Sequence, residues 1–177
     1  MLNWAQNGEV AMANPSWFAI QTRSRHEKKV ADEIQQKGIS SFLPLVTRLH
    51  RWSDRQKEVQ LPLFPGYVFV RTPPSDKVRI SVLQTPGVAR FVGSQGHGTP
   101  IPDKQIEDIR SILDKNVPFE LYPFIEINQR VRIRGGALDG VEGTLVAKNL
   151  DQSLVVSIDL IQRSVLVRVT GYELEKV

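Results

Sequence analysis

The chain has 177 residues, of which 41% are hydrophobic and 24% are charged. This composition is typical of a globular protein and excludes an intrinsically disordered chain. It contains no cysteine, which excludes disulfides, thiolate catalysis and cysteine-ligated zinc. Its uninterrupted apolar runs are only a few residues long, so we expect no membrane-spanning helix and no membrane partner.

The net charge of +4 is unevenly distributed. Residues 1–115 carry 16 basic and 11 acidic side chains, whereas residues 116–177 carry 7 and 8. Residues 21–60 alone carry 9 basic and 5 acidic side chains. A net charge as small as +4 argues against nucleic-acid affinity over the whole surface, but a local basic patch is compatible with this net charge.

The first fifteen residues lack the basic start and the apolar core of a secretory signal. We therefore expect residues 1–15 to form a disordered extension, unless Met12 rather than Met1 is the true start. Aromatic and branched residues over 17–20 then predict the first strand.

A helix is predicted over roughly 25–37. Ser24 and Glu27 have the spacing of a capping box, and Gly38 follows a basic last turn. The apolar positions are Val30, Ala31 and Ile34. They form a narrow stripe that covers one face of a sheet, and the side chains expected to face solvent are Arg25, Lys28, Lys29 and Asp32.

Strands and helices then alternate up to residue 115. Pro44 predicts an edge strand over 39–46, and the polar, basic stretch 47–60 predicts the tip of a hairpin. The further predicted elements are strands over 67–70 and 88–92, a helix over 76–83, and a helix that begins at Pro102 and Asp103.

The last third of the chain has a different pattern. Prolines without periodicity predict a linker over 116–126. The strand-like runs beyond it are 130–134, 141–147, 153–159, 164–169 and 172–175. Short strands between glycine-rich turns are typical of a small antiparallel barrel. The predicted fold is therefore α+β, with a sheet domain over 16–115 and a barrel domain over 127–177.

No residue pattern supports catalysis or a bound cofactor. The histidines His26, His50 and His97 fall in different elements without metal-ligand spacing, so we expect no metal site. The glycine-rich stretch 93–99 lacks the Lys-Ser/Thr ending of a phosphate-binding loop and predicts a mobile surface loop. We therefore expect no catalytic residues and no cofactor, and we expect that the protein is not an enzyme.

Two basic sets have two alternative interpretations. The first, at the helix, comprises Arg23, Arg25, His26, Lys28 and Lys29. The second, on the predicted hairpin, comprises Arg48, Arg51, Arg55 and Lys57, next to Trp52. Such sets are often solvated surface, but cations beside an exposed aromatic ring also suit phosphate contact and base stacking on single-stranded nucleic acid.

The aromatic residues of the predicted sheet also allow two interpretations. Rings in strands usually fill the core, and this applies to Phe64, Tyr67, Phe69 and Phe91. Strand alternation puts Tyr67 and Phe69 on the face opposite to Val68 and Val70. If helices cover only one side of the sheet, the other face is available to a partner.

Several motifs follow one another along the chain: Trp17-Phe18-Ala19, Glu27-Lys28-Lys29-Val30, Leu63-Phe64-Pro65-Gly66-Tyr67-Val68-Phe69-Val70, Thr85-Pro86-Gly87-Val88, Phe91-Val92-Gly93, Pro100-Ile101-Pro102 and a glycine-rich pattern from Gln129 to Thr144. Together they resemble the NusG family of transcription elongation and antitermination factors, in which the last pattern is the KOW type. The resemblance extends from Trp17 to Val177. Further motifs look most like the specialised UpxY-type paralogues: Arg25 to Lys29, Arg51 to Arg55 and Leu160 to Val165.

The resemblance implies a ferredoxin-like NGN domain and an SH3-like KOW barrel in a cytoplasmic, monomeric protein. It implies that the NGN domain binds the clamp helices of the RNA polymerase β′ subunit, bridges towards the β subunit and suppresses pausing. The implied polymerase-binding residues are Trp17, Phe64, Pro65, Tyr67 and Phe69. Contact with the non-template DNA strand is implied for Arg23, Arg25, His26 and Lys29, and the basic sets add Lys28, Arg51, Trp52 and Arg55.

The barrel departs from the housekeeping pattern at one place. Those proteins carry a phenylalanine, used to bind Rho or a small-subunit ribosomal protein, where this chain has Asp159-Leu160-Ile161. The change argues against Rho and makes Leu160 and Ile161 candidates for another partner, such as a ribosomal small-subunit protein. Alternation over 153–169 predicts a stable barrel that does not refold into helices. The alternatives are a housekeeping NusG and a ribosome-associated KOW RNA-binding protein.

Overall fold

The computed structural model describes residues 14–51, 56–122, 130–148, 151–169 and 172–177. The predicted extension, apart from residues 14 and 15, lies outside this part of the chain, as do Trp52 and Arg55. The strands and α-helices up to residue 114 are β1 (Ser16–Thr22), α1 (Glu27–Gln36), β2 (Ser40–Phe42), β3 (Leu45–Arg51), β4 (Gln56–Pro62), β5 (Tyr67–Thr72), α2 (Asp76–Leu83), β6 (Val88–Phe91) and α3 (Asp103–Asp114).

The N-terminal domain contains a four-stranded sheet with the order β2-β5-β1-β6, whose paired strands are all antiparallel. Strands β3 and β4 form a separate two-stranded hairpin, paired from Leu45 opposite Pro62 to Arg51 opposite Gln56. The predicted hairpin is therefore confirmed, and its strands extend through most of the basic stretch 47–60. The mixture of an antiparallel sheet with helices confirms the α+β class.

Strand alternation divides the sheet residues between two hydrophobic clusters. The α1 cluster joins one face of the sheet to α1 and α2, and its members are Phe18, Ile20, Val30, Ala31, Ile34, Val68, Val70, Val82 and Phe91. The α3 cluster takes the opposite face, where Trp17, Ala19 and Phe69 pack with Ile106, Ile109 and Ile112 of α3. All three stripe residues predicted for α1 are buried.

Helices cover both faces of the sheet, so the condition under which one face would be open to a partner is not met. After β6 the chain returns beside β1, where the Ile101 amide donates to the Trp17 carbonyl at 2.8 Å. Helix α3 starts two residues later and lies on the face opposite to α1. The face that the sequence left open to a partner is therefore covered within the chain itself.

The C-terminal domain is one six-stranded antiparallel sheet with the order β12-β8-β9-β10-β11-β7. Its strands are β7 (Phe119–Tyr122), β8 (Arg130–Arg134), β9 (Glu142–Lys148), β10 (Asp151–Ile158), β11 (Arg163–Arg168) and β12 (Glu173–Lys176). The five predicted runs correspond to β8 to β12. The linker predicted over 116–126 needs correction, because β7 lies within it and pairs with β11.

The two domains are in direct contact through α3. Lys104 Nζ donates to the Gly140 carbonyl at 2.7 Å, and Gln105 Nε2 donates to Asp159 Oδ2 at 2.8 Å. The Glu142 amide donates to Asp108 Oδ2 at 3.3 Å. The α3 cluster continues into the interior of the C-terminal domain, so α3 belongs to the cores of both domains. None of the helices in the described part of the chain is both long and apolar enough to span a membrane.

Candidate functional site

Four aromatic rings form a row along the α3 face of the N-terminal sheet. The ring centroids of Trp17 and Phe42 are 6.4 Å apart, those of Phe42 and Phe69 are 6.1 Å apart, and those of Phe69 and Phe64 are 6.3 Å apart. Strands β1, β2 and β5 each contribute one ring, and the turn before β5 contributes Phe64. Edge-to-face pairs at such distances add to the energy of area burial.

The guanidinium of Arg110, on the exposed side of α3, covers one end of this aromatic row. Its Cζ lies 4.8 Å from the Phe42 centroid and 5.7 Å from the Trp17 centroid. A cation over an aromatic face is attracted by the negative potential of the ring. The arginine therefore fixes α3 to the sheet edge, in addition to the apolar packing.

The predicted polymerase-binding residues differ in accessibility. Trp17 is 6% exposed, Phe64 is 1% exposed and Phe69 is fully buried. Pro65 is exposed and Tyr67 is half-buried. The chain thus brings all five together around one aromatic row and one turn, but only the turn residues Pro65 and Tyr67 are accessible in this conformation.

The turn that carries Pro65 and Tyr67 is held by α1. The Gly66 amide donates to Glu27 Oε1 at 2.8 Å, and the Thr22 amide donates to the Gly66 carbonyl at 2.8 Å. Gly66 has a φ of 85°, a conformation that glycine adopts without strain. Glu27 therefore makes a tertiary contact. The predicted capping box is wrong, because neither Ser24 nor any other side chain in the described part of the chain caps the N-terminus of α1.

The basic residues at α1 are mostly accessible. Arg23, Arg25, Lys28 and Lys29 are exposed, as the helical pattern predicts, and Lys29 Nζ lies 3.7 Å from Glu33 Oε1. His26 is only half-buried, but its Nδ1 is buried without a hydrogen-bond partner among the described residues. The His26 ring packs against the tight turn at Gly87, where an added Cβ would lie 3.2 Å from its Cγ.

Arg25 has a positive φ of 64°. This left-handed conformation is uncommon for a residue with a long side chain, and such conformations cluster at functional sites. Arg25 lies in the connection between β1 and α1, and it borders the same cavity as Lys28.

The second basic set is only partly described. Arg48 is exposed on β3, and Arg51 is the last residue of β3, paired with Gln56. The Arg51 side chain and the whole of Trp52 and Arg55 lie outside the described part of the structure, so their part in the site stays a prediction. A cavity of about 420 Å³ separates the hairpin from the start of α1.

Leu160 and Ile161 form a single 3-10 turn with Asp159 between β10 and β11. Ile161 is 6% exposed and Leu160 is half-buried against the α3 cluster. The Asp159 amide and carboxylate both pair with the Gln105 side chain, at 3.2 and 2.8 Å. The predicted partner-binding residues of the C-terminal domain thus adjoin its contact with α3.

Two carboxylates at the domain contact, Asp108 and Glu142, have pKa values that differ from the ordinary values of these side chains. Burial raises the pKa of Asp108 above its ordinary value, although the hydrogen bond and charge of Lys104 oppose this effect. A hydrogen bond from Arg132 Nε at 2.9 Å lowers the pKa of Glu142. In the described residues, no group of three or more His, Asp or Glu side chains is arranged to hold a metal ion.

Sequence reasoning missed three residues of these surfaces. Phe42 completes the aromatic row, Arg110 covers it, and Leu61 is an exposed aliphatic residue at the cavity. A signal existed only for Leu61, which alternates with polar residues in a strand. The roles of Phe42 and Arg110 depend on α3 covering the second sheet face, which local patterning does not predict.

Comparison with known proteins gives one consistent result. The NusG family model, described as "Transcription termination factor nusG", matches residues 15–110. Transcription termination/antitermination protein NusG of Lactococcus lactis subsp. lactis (strain IL1403) is 28% identical over 187 residues, covering 97% of this chain and 98% of that protein. The protein of the same name from Borreliella burgdorferi (strain ATCC 35210 / DSM 4680 / CIP 102532 / B31) is 26% identical, covering 92% and 98%.

The solved structure of Thermotoga maritima NusG is also similar. It has a TM-score of 0.50 and 24% sequence identity, and the match covers 92% of this chain and 97% of that chain. At this identity the likeness supports the fold alone.

Proposed function

The chain belongs to the NusG family, and on this premise we propose that it is an elongation and antitermination factor that acts on selected operons. NusG-type transcription termination/antitermination factors are not enzymes, and they bind RNA polymerase. The further proposals concern which surfaces of this chain make the contacts. We assign an NGN domain to 16–115 and a KOW domain to 127–177, with β7 added to the KOW sheet.

The proposed polymerase contact is the accessible surface at Pro65 and Tyr67, which the buried aromatic row supports from beneath. The β′ clamp helices would pack against Tyr67 and Pro65, and the domain would bridge from there towards the β subunit. The supporting observation is that Phe64 and Phe69 are buried directly behind this turn. A rigid turn presenting a half-buried ring suits an interface, because less conformational freedom is lost on binding.

The proposed nucleic-acid contact is the exposed basic surface at the start of α1. Arg23, Arg25, Lys28 and Lys29 contact phosphates of the non-template strand, and His26 supports the backbone of the turn beneath them. Arg51, the last residue of β3, extends the contact together with its sequence neighbours Trp52 and Arg55. Such a surface adds affinity that depends strongly on salt.

A housekeeping NusG is the second candidate, and the curated relatives favour it because they carry that name. Two observations favour the specialised factor: the exposed cations of α1, and the turn at Asp159, Leu160 and Ile161, which lacks the phenylalanine of the housekeeping pattern. For the same reason we propose that the C-terminal domain does not bind Rho, and that Leu160 contacts a ribosomal small-subunit protein or another partner.

Binding of the full chain to purified RNA polymerase tests the polymerase contact. Tyr67→Ala is expected to weaken binding by about tenfold or more, because central aromatic residues dominate interface energies. Tyr172→Ala, at a half-buried tyrosine of the C-terminal domain, is the matched control and should leave binding unchanged. Unchanged binding by Tyr67→Ala, with the fold intact by circular dichroism, would contradict the proposal.

A genome-wide map of the genes at which this protein is bound to RNA polymerase separates the two candidate functions. A specialised factor should be found at a few operons, whereas a housekeeping factor should be found at most transcribed genes. Occupancy at most genes would refute the proposed operon specificity and leave the polymerase contact standing.

A further inference from the structure

The segment that joins the two domains is an ordered structure, although its composition predicts a linker. It consists of residues 115–118 and β7, and we refer to residues 115–122 as the joining segment. The segment begins directly after α3 and ends in the sheet of the C-terminal domain. The hydrogen bonds from α3 hold the two domains together at one place, and the joining segment holds them together at a second place.

The joining segment leaves α3 in a fixed direction. The Asn116 amide donates to the Leu113 carbonyl at 3.2 Å. The Val117 amide donates to the Ile112 carbonyl at 3.3 Å. These two bonds, with Asn116 at a φ of 50°, form the Schellman motif that commonly ends a helix. Asparagine tolerates this left-handed conformation because its short polar side chain can hydrogen-bond locally. The end of α3 therefore sets the path of the chain towards β7.

The other end of the joining segment completes the C-terminal sheet. Strand β7 pairs with β11 from Phe119 opposite Val167 to Tyr122 opposite Ser164. The four β11 residues that it covers are all buried, with exposures of 5% or less. Strand β7 itself has only four residues and a neighbour on one side only. It is therefore an edge strand held by few hydrogen bonds, which local unfolding releases at a low cost.

The joining segment also packs into the hydrophobic cluster that the two domains share. Val117 and Phe119 are half-buried against the α3 cluster. This cluster contains Ile112 of α3 as well as Val165 and Val167 of β11. The pairing of β7 and the docking of the C-terminal domain on α3 therefore bury the same apolar surface. Each of the two stabilises the other, because such coupling is reciprocal.

Release of β7 would lengthen the connection between the domains. While β7 is paired, the four residues 115–118 separate α3 from the C-terminal sheet. Without this pairing, the fifteen residues 115–129 separate α3 from β8. The entropic cost of closing a flexible loop grows as three halves of the logarithm of its length, so the longer connection makes docking about sevenfold less favourable.

We propose that the joining segment is a strap: the pairing of β7 with β11 holds the C-terminal domain on α3, and release of β7 loosens this contact. Release also uncovers the backbone of β11, which then becomes the edge of the sheet. The same event thus frees the domain and exposes an unpaired strand. This inference does not depend on the proposed polymerase and nucleic-acid contacts.

Two backbone amides report directly on the contact between the domains. The Glu142 and Asp159 amides both donate to side chains of α3, at 3.3 and 3.2 Å. The Gly135 amide donates to Asp139 Oδ1 within the C-terminal domain, so it is the control for the fold of that domain. Hydrogen exchange at these amides in the full chain therefore distinguishes undocking from unfolding.

Proline substitutions in β7 test whether this strand holds the domain. Successive residues of a strand direct their amides to opposite sides, so only one of Glu120 and Leu121 directs its amide at β11. Of Glu120→Pro and Leu121→Pro, the variant that removes the pairing amide should speed exchange at both reporter amides about sevenfold. The other variant is the matched control, because proline is tolerated on the solvent side of an edge strand. Exchange at Gly135 should be unchanged in both.

A disulfide separates the strap from other effects of the proline. Phe119 and Val167 are directly opposite each other, and the chain contains no cysteine. Phe119→Cys with Val167→Cys therefore allows a single cross-strand disulfide. When these changes are combined with the releasing proline, the oxidised protein keeps the short connection and the reduced protein does not. Exchange at Glu142 and Asp159 should be about sevenfold slower in the oxidised protein than in the reduced protein, which has the same sequence.

Two results would overturn the proposal. If neither proline variant changed exchange at Glu142 and Asp159, β7 would not hold the domain on α3. If a proline variant speeded this exchange but the oxidised and reduced proteins exchanged alike, the effect would come from damage to the sheet and not from loss of the strap. Neither result bears on polymerase binding through Tyr67, which is a separate measurement.

Discussion

The two hydrophobic clusters on either side of the N-terminal sheet differ in how far they extend. The α1 cluster is confined to the N-terminal domain, where α1 and α2 cover residues of β1, β5 and β6. The α3 cluster begins on the other face of the same sheet and continues through α3 into the C-terminal domain. One face of the sheet is therefore a closed core, and the other is part of an interface between domains.

This difference indicates how the two proposed contacts are supported. The basic surface lies over the closed core, so its cations can contact a ligand without disturbing the other domain. The aromatic row lies in the shared core. A ligand bound at the turn before β5 would therefore contact residues that pack against α3 and, through α3, against the C-terminal domain.

Truncating an isoleucine on each side gives the sharpest comparison. Ile34 and Ile109 are both fully buried, the first in the α1 cluster and the second in the α3 cluster. Alanine at either position is expected to lower the free energy of unfolding by about 2–5 kcal/mol. Hydrogen exchange should show Ile34→Ala weakening the N-terminal domain alone and Ile109→Ala weakening both domains. If Ile34→Ala weakened the β10 and β11 amides equally, the distinction between the clusters would be wrong.

Glu27 joins the closed side to the turn that carries Tyr67. Glu27→Ala removes the buried acceptor of the Gly66 amide and is expected to cost about 1–3 kcal/mol in thermal unfolding. Glu27→Gln retains an acceptor oxygen and should recover part of this loss. Asp32→Ala, at an exposed acid on the same helix, is the control and should stay within about 0.5 kcal/mol of the wild type. An equal loss in Glu27→Ala and Asp32→Ala would point to a general helix effect.

The smallest expected effect is the pH dependence of the domain contact. Burial raises the pKa of Asp108 above 3.8, so the folded chain holds this proton more tightly than the unfolded chain does. Stability from Asp108 should therefore increase as the pH falls from neutral through its raised pKa, and level off below 3.8. Glu142 acts in the opposite direction only below 4.5, because Arg132 lowers its pKa.

Comparison with Asp108→Asn isolates this effect, since that variant keeps an acceptor for the Glu142 amide but has no charge to titrate. As the pH falls from 7 to 4.5, the wild type should gain unfolding free energy relative to the variant. The gain should be less than about 1.4 kcal/mol for each pH unit by which burial raises the pKa of Asp108. Chemical denaturation at several pH values measures it. A constant difference over this range would show that Asp108 is not perturbed by burial.

Local patterning predicted many of the elements well. The helix α2 begins and ends at Asp76 and Leu83, as predicted, and β8 covers 130–134. These segments succeed because hydrophobic periodicity and flanking turn residues act within a few residues of each other. Helical periodicity likewise predicted the exposed cations of α1, and the NusG-type motifs predicted the family.

The errors have long-range causes. The capping box failed because Glu27 contacts Gly66, which is 39 residues away in sequence. The strand β7 was missed because its pairing partner β11 lies more than 40 residues later, in a stretch whose own composition resembles a linker. The cavity could not be predicted either, since it requires the hairpin to lie beside the start of α1.

The short connection between α3 and β7 has a quantitative consequence. Only residues 115–118 separate Asp114, the end of α3, from Phe119, the start of β7. The two domains therefore meet as tethered partners, at an effective concentration that for short linkers is on the order of millimolar. The hydrogen bonds at Lys104, Gln105 and Asp108 and the shared α3 cluster act together with this tether. Any molecule that competes for this side of α3 must overcome that concentration as well as the contacts themselves.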